Sequence, residues 1–117
     1  MARFRLVDAV NRDWEDITWV PHDEGWLLAV GDVGDNQARR KSVQIYFADF
    51  PRHLAAFEAP EAFDEVPLRH TLELTYPDGP RDCEAMAYDA SSGKILFLTK
   101  RDKPARLYGV DAASEPA

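Results

Sequence analysis

Cysteine is almost missing from this chain. Cys83 is the single thiol among 117 residues, which excludes an intrachain disulfide and any Cys-based zinc site. Basic residues are also scarce: 14 Lys and Arg stand against 21 Asp and Glu, a formal net charge of −7. That deficit argues against nucleic acid and anionic membrane surfaces as partners, since both need basic patches. The one dense basic run, Arg39-Arg-Lys41, follows Gly34-Asp-Asn36 and reads as a solvated rim. No apolar stretch is long enough to span a bilayer, and Met1-Ala-Arg-Phe-Arg5 leads into no signal-peptide core, so a soluble, cytoplasmic chain is expected. Catalytic signatures are thin as well. Ser42, Ser91, Ser92 and Ser114 lie in no Gly-x-Ser-x-Gly elbow, and no glycine-rich phosphate loop precedes a helix. His22, His53 and His70 fall in or beside predicted loops and read as surface histidines. Helical periodicity is missing too. Its best candidate, 52–58, is confined to two turns by Pro51 and Pro60.

What the chain does have is a duplication. Asn11-Arg-Asp-Trp-Glu-Asp-Ile-Thr-Trp19 returns as Pro80-Arg-Asp-Cys-Glu-Ala-Met-Ala-Tyr88, with Asp13 and Glu15 matching Asp82 and Glu84 at one offset. Downstream, Gly25-Trp-Leu-Leu-Ala-Val30 matches Gly93-Lys-Ile-Leu-Phe-Leu98, and Val43–Asp49 is echoed by Arg106–Asp111. Short segments rich in Val, Ile, Leu and aromatics alternate with turn signals such as Gly31-Asp-Val-Gly-Asp-Asn36 and Tyr76-Pro-Asp-Gly-Pro80. Strands are predicted near 3–8, 14–20, 26–32, 42–49, 70–76, 83–89, 94–100 and 105–111. Strand alternation places Glu15, Ile17 and Trp19 on one face, and Glu84, Met86 and Tyr88 on its counterpart. The expected fold is therefore all-β: two four-stranded antiparallel β-propeller blades, with an eight-stranded sandwich as the competing architecture.

One domain of two blade repeats follows, the first over about 13–76 and the second over about 82–111. Two blades cannot close a ring that uses roughly four to eight. Either the chain is a piece of something longer, or copies complete the ring. The second repeat has three strands, and the strand over 2–8 is expected to supply the fourth to a neighbouring subunit by strand exchange, giving a homo-oligomer. Three chains and six blades is the expected count. A truncated remnant without activity is a further possibility, one that exposed strand edges would drive into aggregation.

Chemistry is sought where the repeats place acids. Glu15 and Glu84 each open an apolar strand face and would converge, with Asp13 and Asp82, at one channel mouth. Close carboxylates favour a hard cation such as Ca²⁺ or raised pKa values. The competing reading has them accepting backbone N–H groups of the next blade and locking blades together. Asp32, Asp35 and Asn36 form a second oxygen cluster, equally suited to a cation or to a self-capped turn. Lys100 replaces Asp32 in the second repeat and is positioned to neutralise Glu15, Asp32 or Glu84. Trp14, Trp19, Trp26, Tyr46, Phe47, Tyr76 and Tyr88 are expected to pack between blades, and Cys83, in the place of Trp14, to be a small packed residue.

The motifs Asp13-Trp-Glu-Asp-Ile17, Gly31–Asn36, Tyr76–Met86 and Leu96-Phe-Leu-Thr-Lys100 resemble those of uncharacterised bacterial β-propeller proteins. More remotely, the Asp-x-Glu strand starts are similar to those of phytase-like and gluconolactonase-like propellers. The resemblance covers most of residues 11–111 and implies channel or metal roles for Glu15, Asp32, Asp35, Asn36 and Glu84. Those proteins carry a full ring in one polypeptide, whereas this chain holds about two blades. The leading reading of the whole sequence is a non-enzymatic propeller module that binds a ligand or partner at an acidic channel mouth; the alternative is a divalent-metal-dependent hydrolase of phosphate esters or lactones.

Overall fold

The computed structural model describes residues 3–22, 25–35, 37–49, 63–100 and 102–112. The expected helix over 52–58, together with His53, Ser114 and Asn36, lies outside the described residues. Among the described residues there are eight strands and no helix, so none is long and apolar enough to cross a membrane. The strands are β1 (Arg3–Val7), β2 (Trp14–His22), β3 (Gly25–Asp32), β4 (Val43–Asp49), β5 (Phe63–Leu74), β6 (Cys83–Asp89), β7 (Lys94–Thr99) and β8 (Leu107–Asp111). They form a five-stranded sheet in the order β1-β5-β4-β3-β2 and a three-stranded sheet in the order β6-β7-β8. The chain is all-β, as the alternating patterns predict.

Both sheets are built from the same antiparallel unit. In the first, a β-bulge falls between Trp14 and Asp16; in the second it falls between Cys83 and Ala85. Glu15 and Glu84 are the two bulge residues. A bulge adds a residue to one strand and breaks its two-residue alternation. Glu15 therefore leaves the face that strict alternation would have it share with Ile17 and Trp19. The rungs also correct the sequence alignment by one residue: Trp14 pairs with Asp32, and Cys83 pairs with Thr99. Thr99, and not Lys100, stands in the place of Asp32.

The core lies between the sheets. Val20, Leu27, Ala29, Ile45 and Phe47 of the first sheet cluster with Cys83, Met86, Ile95 and Phe97 of the second, and all are buried. Gly31 lets the sheets approach here, because a Cβ at that position would lie 3.0 Å from the Met86 sulfur. Burying such side chains is worth about 1.5–3 kcal/mol each relative to exposure, so this interface contributes substantially to stability. His70, expected at a surface, stacks on Phe47 with ring centroids 4.3 Å apart.

β5 is longer than expected and begins before the end of its β4 pairing at Ala48–Leu68. Its first half is bordered instead by β1, parallel, from Arg3 opposite Phe63 to Val7 opposite Pro67. Pro67 stands where the partner changes; lacking an N–H, proline suits such a ladder end. The opening strand, expected to join the second repeat of a neighbour, here covers the otherwise open backbone of β5 in its own chain.

Candidate functional site

The segment that leaves β3 is threaded between the two repeats. Asp32, fully buried, accepts hydrogen bonds from the backbone N–H groups of Arg12 and Asp13, each at 3.0 Å, and from Arg40 Nη1 at 2.8 Å. Arg40 Nη1 also donates to the Gly34 carbonyl at 2.9 Å, and Nη2 donates to Gln44 Oε1 at 2.8 Å. With 8% of its side chain exposed, Arg40 is a buried counter-charge and not part of a solvated rim. The basic run departs from expectation because its middle residue points inward while Arg39 and Lys41 remain exposed.

Asp35 caps the turn that follows, its carboxylate accepting from the backbone of Arg39 and Arg40 at 2.9 and 2.8 Å. Its own N–H donates to Asp82 Oδ1 at 2.9 Å. Gly34 N–H donates to the Asp13 carbonyl, and Cys83 N–H to the Val33 carbonyl. Asp13 and Asp82, equivalent positions in the duplication, thus grip the same segment from opposite sides.

The bulge glutamates sit beside this knot. Burial, a hydrogen bond with Asp13, and the charges of Asp13, Glu84 and Asp82 together raise the pKa of Glu15. Lys100 forms an ion pair with Glu84, and its backbone N–H donates to the Asp82 carbonyl. The expected channel set of Asp13, Glu15, Asp82, Glu84 and Lys100 is brought together. Of the expected metal set, Asn36 lies outside the described residues, and the carboxylates of Asp32 and Asp35 are engaged by backbone N–H groups and Arg40. Among the described residues no group of three or more His, Cys, Asp or Glu is placed to hold a metal ion. Oxygen-rich composition alone cannot distinguish a carboxylate serving backbone donors from one serving a cation.

Two residues missed by the sequence reading join the repeats directly. Asp16 Oδ2 accepts from Met86 N–H at 2.8 Å, and Thr18 Oγ1 accepts from Tyr88 N–H at 3.2 Å. Both lie on β2 and satisfy donors on the facing strand β6, which would otherwise be unpaired in the core. A lock through backbone N–H groups is expected of the glutamates; the neighbouring aspartate performs it. The signal is present in the sequence: Asp16 and Thr18 alternate on one strand, where the second repeat has Ala85 and Ala87.

The remaining candidates offer little reactivity. Burial pushes the Cys83 thiol up to about 11, and it stays protonated at neutral pH. Tyr76 is likewise raised, mainly by burial. A cavity of about 240 Å³ opens between the end of β5 and β8, lined chiefly by Val43, Leu74, Tyr76, Phe97, Tyr108 and Val110. It contains none of the clustered acids. Compared with known proteins, the chain matches no family model, no curated protein and no solved structure.

Proposed function

We propose that this chain is a two-blade unit of a β-propeller, that copies of it join into a ring, and that the ring is a binding scaffold without catalytic chemistry of its own. The observation that carries this reading is the repeated bulged unit, with β2 of the first sheet beside β6 of the second and Glu15 and Glu84 at matching places. Consecutive propeller blades adjoin in this way around a channel. Three copies would supply six blades and line the mouth with repeated sets of Asp13, Glu15, Asp82 and Glu84. With Lys100 as the one cation of each set, the mouth suits a cationic or hydrogen-bond-donating small ligand. Metal-dependent hydrolysis has less support, because Asp32 and Asp35 are engaged by backbone. The assembly does not require β1 to leave β5.

Light scattering on the purified chain tests the proposal. A sharp mass at two, three or four times 13.3 kDa agrees with it. A monomer at every accessible concentration would overturn it.

A further inference from the structure

The two sheets approach most closely along β2 and β6. Beside the outer strands β5 and β8 the filling is incomplete, and the cavity of about 240 Å³ opens there. Its walls are aromatic and aliphatic, from Leu74, Tyr76, Phe97, Tyr108 and Val110. The two tyrosine rings meet edge to face, with centroids 4.8 Å apart. The Tyr108 hydroxyl donates to Asp78 Oδ1 at 2.7 Å, and that of Tyr76 is buried beside Cys83. What these residues present to the cavity is therefore ring surface, held in place. An apolar cavity of about 150 Å³ is enough to take benzene, so a benzene ring with a short chain fits here.

A second cavity, of about 210 Å³, shares Val43, Leu74, Thr75 and Tyr76 with the first. Beyond this common wall the lining changes character, to Arg40, Lys41, Ser42 and Arg81 with no carboxylate. In a chain of net charge −7 that is the opposite of the overall balance. Two of the three cations are already answered, Arg40 by Asp32 and Arg81 by Asp78 and Asp102. Lys41 is not. It is exposed, and its ammonium has no ion pair among the described residues. Beside it, Ser42 Oγ accepts from Gln44 Nε2 at 3.2 Å and keeps its own proton for a further acceptor. The acid of the adjoining loop, Asp78, is occupied by Tyr108, Arg81 and Arg106.

We propose that the two cavities together bind an aryl carboxylate, its ring against Tyr76, Tyr108 and Val110 and its anionic group at Lys41 and Ser42. One ammonium and one hydroxyl donor suit a single carboxylate; a dianion such as phosphate would need more charge than Lys41 supplies. Burial of the ring provides most of the affinity, since an exposed ion pair adds little. The site contains none of the clustered acids, takes a ligand of opposite charge to theirs, and does not depend on the assembly reading.

Calorimetric titration of the full chain with phenylpropionate tests it, with phenylpropanol and phenylpropylamine as the neutral and cationic counterparts. Saturable binding of one acid per chain is expected, preferred over the alcohol by about fivefold and over the amine by more. Lys41→Gln should erase the preference for the acid and leave the affinity for the alcohol unchanged. Val110→Phe fills the apolar cavity and should weaken acid and alcohol alike, by about tenfold or more; Leu74→Phe replaces it if its cooperative urea transition is lost. In amide NMR spectra the shifts caused by the acid should fall at Thr75, Tyr76, Tyr108 and Val110, and not at Glu15 or Glu84. An absence of saturable binding by all three compounds overturns the site. Shifts centred on Glu15 and Glu84, or binding that the cavity-filling variant leaves intact, overturn it as well. Equal affinity for acid and amine, or a preference for the acid that survives Lys41→Gln, overturns the assignment of the carboxylate to Lys41.

Discussion

Replacing Asp32 by alanine tests the structural account most severely. The change would leave the N–H groups of Arg12 and Asp13 without their acceptor, and would strand the Arg40 guanidinium, 8% exposed, without its 2.8 Å partner. Removing one member of a buried ion pair costs about 3–5 kcal/mol, because the surviving charge remains desolvated. Domains of this size have roughly 5–15 kcal/mol in total, so the variant should lose about a fifth of its stability or more. At roughly 4 °C per kcal/mol, Tm should fall by about 12–20 °C.

Urea unfolding followed by far-UV circular dichroism, at one fixed protein concentration, gives the free energy. Concentration must be held because association would add to apparent stability. Arg40→Met should cost less, since Asp32 keeps its two backbone donors. The double variant should be less damaged than the sum of the singles by about 2 kcal/mol, as directly coupled residues are. A loss below about 1 kcal/mol for Asp32→Ala, against the range expected for a broken buried pair, or simple additivity, would refute the reasoning. Melting of the unsubstituted chain should be unchanged by chelator; a chelator-dependent fall that Asp32→Ala abolishes would instead make Asp32 a metal ligand.

Further outcomes follow from the same contacts. Asp16→Ala removes the acceptor of Met86 N–H and should cost about 1–2 kcal/mol, with faster hydrogen exchange at the Met86 amide as its local signature. Gly34→Ala would drive a Cβ into the Asp13 carboxylate; a loss of about 1–3 kcal/mol is expected from overpacking, recovered in large part in an Asp13→Ala background. The Asp78 pKa is lowered by the hydrogen bond from Tyr108 and by Arg81 and Arg106, and that of Asp102 by Thr99 and Arg81. Their contribution is complete above the unfolded carboxylate value of about 4 and is lost as pH falls through the lower folded values. Tm should therefore drop on acidification, and Asp78→Asn should flatten that profile.

Much of the fold was legible because alternation and turn residues act locally. Seven of the eight strands, and the second half of β5, lie close to where period-two patterns and Gly, Pro and Asp punctuation place them. β5 escaped in its first half because Asp64, Glu65 and Pro67 read as loop, and only the arrival of β1 makes a strand of it. The clustering of Asp13, Glu15, Asp82, Glu84 and Lys100 was legible too, since equal positions in a duplication fall at equal places in space. Side-chain allegiance was not. Whether Asp32 serves a cation or Arg40, and whether Asp16 or Glu15 reaches the facing strand, depends on a bulge and on hydrogen bonds between residues far apart in sequence. The tryptophans, expected between blades, are exposed in the single chain.

Cys83 turns the seam between the sheets into a clock. It is the sole thiol, wholly enclosed, and held in its unreactive form. A thiol-specific dye can reach it only after the two halves part, so the labelling rate measures how often they do. The chain thus carries its own gauge of internal opening, one that needs no engineered probe and gives a single signal for a single event.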